Sequence, residues 1–158
     1  MSRWSEHALV DSLVRSGADE RAILAAVDGV RAQNASAPRV LVAEDEPITR
    51  CDIADLLAAA GFDVCAQASD GLQAVELAAR HAPDAVLMDA SMPRLDGVSA
   101  AGRILSTADV AIVMLTGYHY GELIDRAFEV GVRGYVVKPV TERDVVSAVW
   151  AALRAPAR

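Results

Sequence analysis

Residues 86–97, VLMDASMPRLDG, set an apolar run hard against a single carboxylate, Asp89, with Pro93 four positions further on. A short apolar run bounded by turn residues reads as a strand covered on both faces, and the proline forbids it to continue in a sheet. Burying a charge is costly unless it is paired or bound to something. The question that decides the fold and the chemistry is therefore why a buried strand should end on Asp89.

Four further runs share the character of 85–88, at 40–43, 64–66, 111–115 and 135–137, and together they predict five strands. Between and after them lie stretches of helical period, 47–60, 72–81, 98–105, 122–130 and 142–153, with apolar spacings such as Ile53, Leu56, Leu57 and Val145, Val146, Val149. Gly61 and Gly131 stand where the first and fourth of these helices should stop, and Thr141 with Asp144 can cap the fifth. Asp96-Gly97 reads as a turn and helix entry, without chemistry of its own. Strands alternating with helices predict an α/β fold, a doubly wound five-stranded parallel sheet with five flanking helices.

Composition agrees with one such domain and a short appendage. The 158 residues are 53% hydrophobic and 4% aromatic, so the core is aliphatic. A formal net charge of −7 repels phosphate, and no basic cluster offers a local footprint, which argues against direct nucleic-acid binding. No apolar run approaches the roughly 18 residues of a membrane span and no signal-peptide order opens the chain, so the expectation is a cytoplasmic protein with no membrane insertion. Cys51 and Cys65 form no CxxC pair and are expected to be buried, reduced thiols.

In an open parallel sheet, chemistry gathers beyond the carboxyl ends of the strands. There the sequence places Glu44-Asp45-Glu46, Asp89, Thr116 and Lys138-Pro139. Taken singly, each has an ordinary reading: a helix start, a turn residue, a strand-end hydroxyl, a solvated charge. Brought together, carboxylates from separate strand ends repel one another, and a hard divalent cation such as Mg²⁺ relieves that repulsion through oxygen ligands. With Lys138 and Thr116 able to hold phosphoryl oxygens, Asp89 is left as a nucleophile that can form an aspartyl phosphate.

In this order, VAEDE (42–46), LMDASMPRLDG (87–97), MLTGY (114–118) and GYVVKP (134–139) resemble the receiver domain of bacterial response regulators, a flavodoxin-like fold. The resemblance covers residues 39 to about 154 and is similar in detail to receivers of RNA-binding antiterminator regulators. It implies that Glu44 and Asp45 bind Mg²⁺ with Asp89 and the backbone carbonyl of Ser91, that Asp89 is phosphorylated, and that Lys138 and Thr116 assist catalytically. It further implies Thr116 and Tyr135 as switch residues, a cis proline after Lys138, and Ser91 and Tyr118 as the residues flanking the water that hydrolyses the phosphate. The implied partners are a histidine kinase or histidine phosphotransfer protein and a downstream protein. A homodimer is left open, through the N-terminal helices or through the face formed by the fourth receiver helix, fifth strand and fifth receiver helix. Such a domain catalyses its own phosphorylation and dephosphorylation and is not expected to be an enzyme with a separate substrate. Antiterminator regulators carry a helical output domain; here the sequence stops just after the fifth receiver helix, and no output domain is expected. The stretch between Asp89 and Thr116 is expected to be trimmed around STADVA, residues 106–111.

A rival with similar residues is a haloacid-dehalogenase-like phosphatase, which wants a second aspartate two positions after the nucleophile; Ser91 stands there. A flavodoxin-like cofactor binder would want a phosphate-cradling loop after the first strand, where this sequence has acids.

The segment before the receiver, residues 1–37, is expected to be a helical extension and linker, and residues 38–155 the receiver domain. Leu9, Val10, Leu13 and Val14 form one apolar stripe, Ile23, Leu24, Val27 and Val30 another, with Ser16-Gly17 as the break and residues 34–38 as linker. The segment is too short for a core of its own, so its stripes are expected to bury against the receiver, a second copy or a partner, the alternative being a loosely held extension with no role.

Overall fold

The computed structural model describes residues 6–34, 37–117 and 121–156. The chain divides into two compact units, Met1–Ala37 and Pro38–Arg158. The first holds α1 (Glu6–Arg15) and α2 (Glu20–Asn34), which contact each other. Between them Gly17 adopts φ +76°, as a helix-terminating glycine does, and the Asp19 carboxylate accepts the Ala22 N–H at 2.8 Å to start α2. Val27 is buried, whereas Val14 and Leu24 are exposed. Asn34, predicted as linker, ends α2; residues 35–36, the middle of that linker, lie outside the described residues.

The second unit follows the alternating order β1 (Arg39–Ala43), α3 (Pro47–Ala59), β2 (Asp63–Ala68), α4 (Gly71–His81), β3 (Ala85–Asp89), α5 (Gly97–Leu105), β4 (Ala111–Thr116), α6 (Gly121–Val130), β5 (Gly134–Val137) and α7 (Glu142–Arg154). The strands form one parallel sheet in the order β2-β1-β3-β4-β5. Successive side chains of a strand point to opposite faces, and here both faces are filled. Leu41, Val86, Met88, Ile112 and Met114 pack with α4, α5 and α6 through Ala74, Ala101, Ile104 and Ala127. Val40, Val42, Leu87, Val113 and Leu115 pack with α3 and α7 through Ile53, Leu57, Val145 and Val149. This double covering is why β3 and β4 read as unbroken apolar runs. Truncating a residue such as Leu87, which is wholly buried, would cost about 2–5 kcal/mol.

The order turns at β1 and β3, whose neighbours lie in opposite directions along the sheet, and a crevice opens there at the carboxyl ends. Helix entries around that crevice are capped by acids: Glu46 accepts the Thr49 N–H at 2.6 Å, Asp70 the Gln73 N–H at 2.8 Å and Asp96 the Ser99 N–H at 2.9 Å. The Thr141 hydroxyl accepts the Asp144 N–H at 3.2 Å, as the sequence predicts.

The expectation of two buried cysteines is corrected. Cys51 is exposed, because it falls off the buried stripe of Ile53, Ala54 and Leu57 on α3. Cys65 is half-buried and is the extra residue of a β-bulge: Val40 pairs with Val64, and Leu41 then pairs with Ala66.

Candidate functional site

Four strand ends deliver the predicted side chains to one place. Glu44 follows β1 and is 1% exposed; Asp89, the last residue of β3, is 4% exposed; Thr116, the last of β4, is 3% exposed. Asp45 is exposed beside them. Glu44, Asp45 and Asp89 each offer a carboxylate oxygen within 4.8 Å of the other two. Lys138 reaches in from the end of β5, its ammonium donating to Glu44 Oε2 at 2.7 Å and to Asp89 Oδ2 at 3.0 Å. Its peptide bond to Pro139 is cis. Ser91 is exposed, and its N–H donates to Asp89 Oδ1 at 3.2 Å.

Charge sets the character of this cluster. Burial drives the Glu44 carboxyl above its ordinary range and the nearby Asp89 charge adds to that, against the hydrogen bond from Lys138. Burial works against a charged Lys138, but its hydrogen bonds and attraction to Glu44 and Asp89 outweigh it, so the ammonium is held charged above its ordinary range. Exposed Glu46 is held below the usual carboxylate range by the N–H groups of Thr49 and Ile48. Among the described residues, the one ammonium that bonds these carboxylates leaves an anionic cluster whose three acidic donors are all hard oxygens, the set that suits Mg²⁺ or Ca²⁺ and not a soft metal.

Backbone contacts brace the pocket from behind. The Glu44 N–H donates to the Ala68 carbonyl at 3.0 Å, Arg50 donates to the Glu44 carbonyl at 2.9 Å, and the Lys138 N–H donates to the Thr116 carbonyl at 2.8 Å. Tyr135 lies on β5, the residue 41% exposed, its ring edge-on to Phe128 with the centroids 6.4 Å apart. A small gap bordered by Ala90, Met114, Thr116, Ala127 and Tyr135 lies between that ring and the strand end. Gly117 is exposed after Thr116, while Tyr118 lies outside the described residues.

The structure adds residues that sequence reading left without a role. A Cβ on Gly97 would stand 2.0 Å from the Asp89 carbonyl oxygen, so only glycine lets α5 start this close to β3. A Cβ on Gly71 would stand equally close, 2.0 Å, to the Leu95 carbonyl oxygen. The available signal was the repeated Asp-Gly dipeptide, Asp70-Gly71 and Asp96-Gly97, in each of which an N-cap carboxylate precedes a glycine at the first helical position. Arg50 carried no such signal, since its partner is a main-chain carbonyl.

A model of the response regulator receiver domain matches residues 40–150. The transcriptional regulatory protein PdtaR of Mycobacterium tuberculosis is 44% identical over 111 residues, which cover 70% of this chain and 54% of that protein. The chain thus spans about half the length of that relative. Chemotaxis protein CheY of Bacillus subtilis is 35% identical over 114 residues, 72% of this chain and 95% of CheY. Among solved structures, the receiver domain of the sensor histidine kinase PA1611 of Pseudomonas aeruginosa, which holds a magnesium ion in its active-site cleft, superposes with a TM-score of 0.68 at 28% identity, covering 75% of this chain and 99% of that one.

Proposed function

This chain belongs to the response regulator receiver domain family of two-component signalling, and from that premise we propose that it is a phosphorylation-controlled switch that accepts a phosphoryl group on Asp89. The observation that carries the reading is the convergence of Lys138 on Glu44 and Asp89, at 2.7 and 3.0 Å, within an acidic cluster at the sheet's turning point.

Glu44, Asp45 and Asp89, with the Ser91 carbonyl, would hold Mg²⁺; their oxygen-only donor set fits it. When bound, the cation neutralises charge on the phosphoryl oxygens. Asp89 is the nucleophile: a carboxylate oxygen attacks the phosphorus of a phosphohistidine on a histidine kinase or histidine phosphotransfer protein, the P–N bond breaks, and the imidazole leaves and takes up a proton. The strand end holds the Asp89 carboxylate in place, with Ser91 N–H on one oxygen, so attack starts from a fixed geometry. Lys138, held charged, exchanges a carboxylate partner for a phosphoryl oxygen.

The Thr116 hydroxyl turns to the new phosphoryl group, and Tyr135 closes toward the gap behind Thr116, reshaping the face of α6, β5 and α7 on which a downstream protein docks. A second copy could use that same face or the N-terminal helices. Ser91 and Tyr118 set how long the phosphate lasts by governing access of water. The domain acts on itself and has no separate substrate, and we place it in the cytoplasm, where its kinase would present the phosphohistidine. Among the described residues no helix is long and apolar enough to cross a membrane.

The deciding experiment is intact-mass spectrometry after incubation with Mg²⁺ and acetyl phosphate. One added phosphoryl group on the wild type and none on Asp89→Asn supports the reading; equal labelling of both overturns it.

A further inference from the structure

The seven residues after Asp89, from Ala90 to Asp96, carry the Ser91 backbone to the site, and they are gripped from two sides. On one side Gly97 sits so close that its missing Cβ would stand 2.0 Å from the Asp89 carbonyl oxygen, and its N–H donates to the Ala90 carbonyl at 3.0 Å. On the other side the grip comes from a different helix. Gly71, buried at the first position of α4, leaves no room for a Cβ because the Leu95 carbonyl oxygen would lie 2.0 Å away.

Next to it Asp70 is 7% exposed and has two tasks: it caps α4 through the Gln73 N–H, and its other oxygen stands 3.4 Å from the Arg94 guanidinium. Arg94 is at φ +67°, a conformation that costs a non-glycine residue energy and that surrounding contacts must hold. The corner preceding α4 also reaches the other shoulder of the pocket, since the Ala68 carbonyl accepts the Glu44 N–H. One short segment, 68–71, thus touches the backbone on both sides of the acidic cluster and contributes no ligand to it.

We propose that Gly71 and Asp70 are positioning residues that fix the loop after Asp89, so that the start of α4 sets cation affinity and the rate of phosphoryl transfer from outside the site. The transfer-rate part rests on the function proposed above; the loop-geometry part does not. The mechanism is steric and electrostatic: a side chain at Gly71 pushes Leu95 away, and loss of the Asp70 charge releases Arg94, and both displace the backbone that carries Ser91.

Three variants test this. Gly71→Ala adds one methyl group where a carbonyl stands. Asp70→Asn keeps a good N-cap and removes only the charge facing Arg94. Gly102→Ala, inside α5 with its nearest side-chain neighbour at an ordinary 3.8 Å, is the control for adding a methyl group to a helix. Three quantities are read on folded protein: the Mg²⁺ dissociation constant by calorimetry, the acetyl phosphate labelling rate, and amide hydrogen exchange of peptides spanning 90–97.

A displacement of about an ångström can cost up to about a hundredfold, so Gly71→Ala should weaken Mg²⁺ binding and labelling by about tenfold or more. Asp70→Asn should lose up to about fivefold, since the ion pair is partly solvated. Both should speed exchange at 90–97, and Gly102→Ala should change none of the three. Wild-type Mg²⁺ affinity and wild-type exchange in Gly71→Ala overturn the proposal; if that variant does not fold, the same result in Asp70→Asn does so. A wild type that takes no phosphoryl group overturns the proposed function instead, and affinity and exchange then decide the positioning role alone.

Discussion

The Lys138 ammonium stands 3.0 Å from the Asp89 carboxylate, although 49 residues separate the two in sequence and β4 lies between their strands. Lys138 also bonds the almost fully buried Glu44, so one ammonium compensates two carboxylates that would otherwise face each other in a poorly hydrated place.

Lys138→Met should therefore cost stability before any signalling is considered. Breaking a fully buried pair costs about 3–5 kcal/mol; Lys138 is 28% exposed, and we expect about 2 kcal/mol. Because a cation in the pocket can take over the neutralising role, Mg²⁺ should stabilise Lys138→Met more than wild type. Urea denaturation with and without Mg²⁺ measures this, and an equal Mg²⁺ increment in both proteins contradicts it.

Asp45→Ala should do the reverse. Asp45 is exposed, so removing it should change unfolding stability by no more than about 0.5 kcal/mol, while Mg²⁺ titration weakens by about tenfold or more through loss of an anionic ligand. Labelling of Asp89 should slow in parallel and recover at high Mg²⁺. Unchanged Mg²⁺ affinity would remove Asp45 from the ligand set.

Acid stability should register Asp96. Burial works against its charge, but the Ser99 hydroxyl and N–H, at 2.7 and 2.9 Å, and the attraction of Arg126 hold its carboxyl below the ordinary value of 3.8. With the folded value depressed, the contribution is present above the unfolded value and is lost as pH falls from there through the folded one. Asp96→Asn, still a good cap, should narrow its deficit against wild type as pH drops below about 4. Asp96→Ala should cost about 1 kcal/mol at pH 7. Denaturant midpoints between pH 7 and 3 check both; a wild-type to Asn gap that stays constant with pH would show that the charge is not involved.

Thiol chemistry should distinguish the two cysteines. Burial pushes the Cys65 thiol up, and its sulfur lies 3.6 Å from the Val40 carbonyl, whereas Cys51 is exposed on α3. An alkylating reagent at neutral pH should modify Cys51 first and Cys65 at least severalfold more slowly, because the thiolate is the reacting form. Peptide mapping of partially alkylated native protein shows the order; Cys65 reacting first would contradict the bulge placement.

How far the fold could be read from sequence depended on burial. Strands β1, β3 and β4 are covered on both faces and were legible as apolar runs within one residue of their ends. Strand β2 runs Asp63–Ala68 against an expected 64–66, because its outer positions Asp63 and Gln67 face water and break the run. Helices α4 and α5 begin one residue earlier than periodicity suggests, at Gly71 and Gly97, because a glycine at a helix start looks like a turn. At the site, Glu44, Asp45, Asp89, Thr116 and Lys138 were legible as polar residues following strands, since topology alone brings strand ends together. The approach of Gly71 to Leu95 was not, because the partner across from the start of α4 is a main-chain carbonyl, which no side chain in the sequence marks. The exposure of Cys51 was not either, since one thiol on a helix says little about which way it faces.

The bulge at Cys65 also bears on how the sheet ends. β2 is one edge of the sheet, and an open edge offers unpaired N–H and C=O groups on which a strand from another chain can add. A straight incoming strand cannot keep register along an edge that steps between Val64 and Ala66, and the exposed Asp63 and Gln67 flank that step. The opposite edge, β5, is only four residues long and runs into Lys138 and Pro139, the latter with no N–H to offer. Both margins of the sheet are thus poor templates, so the receiver can be crowded among its own copies with little tendency to grow by strand addition.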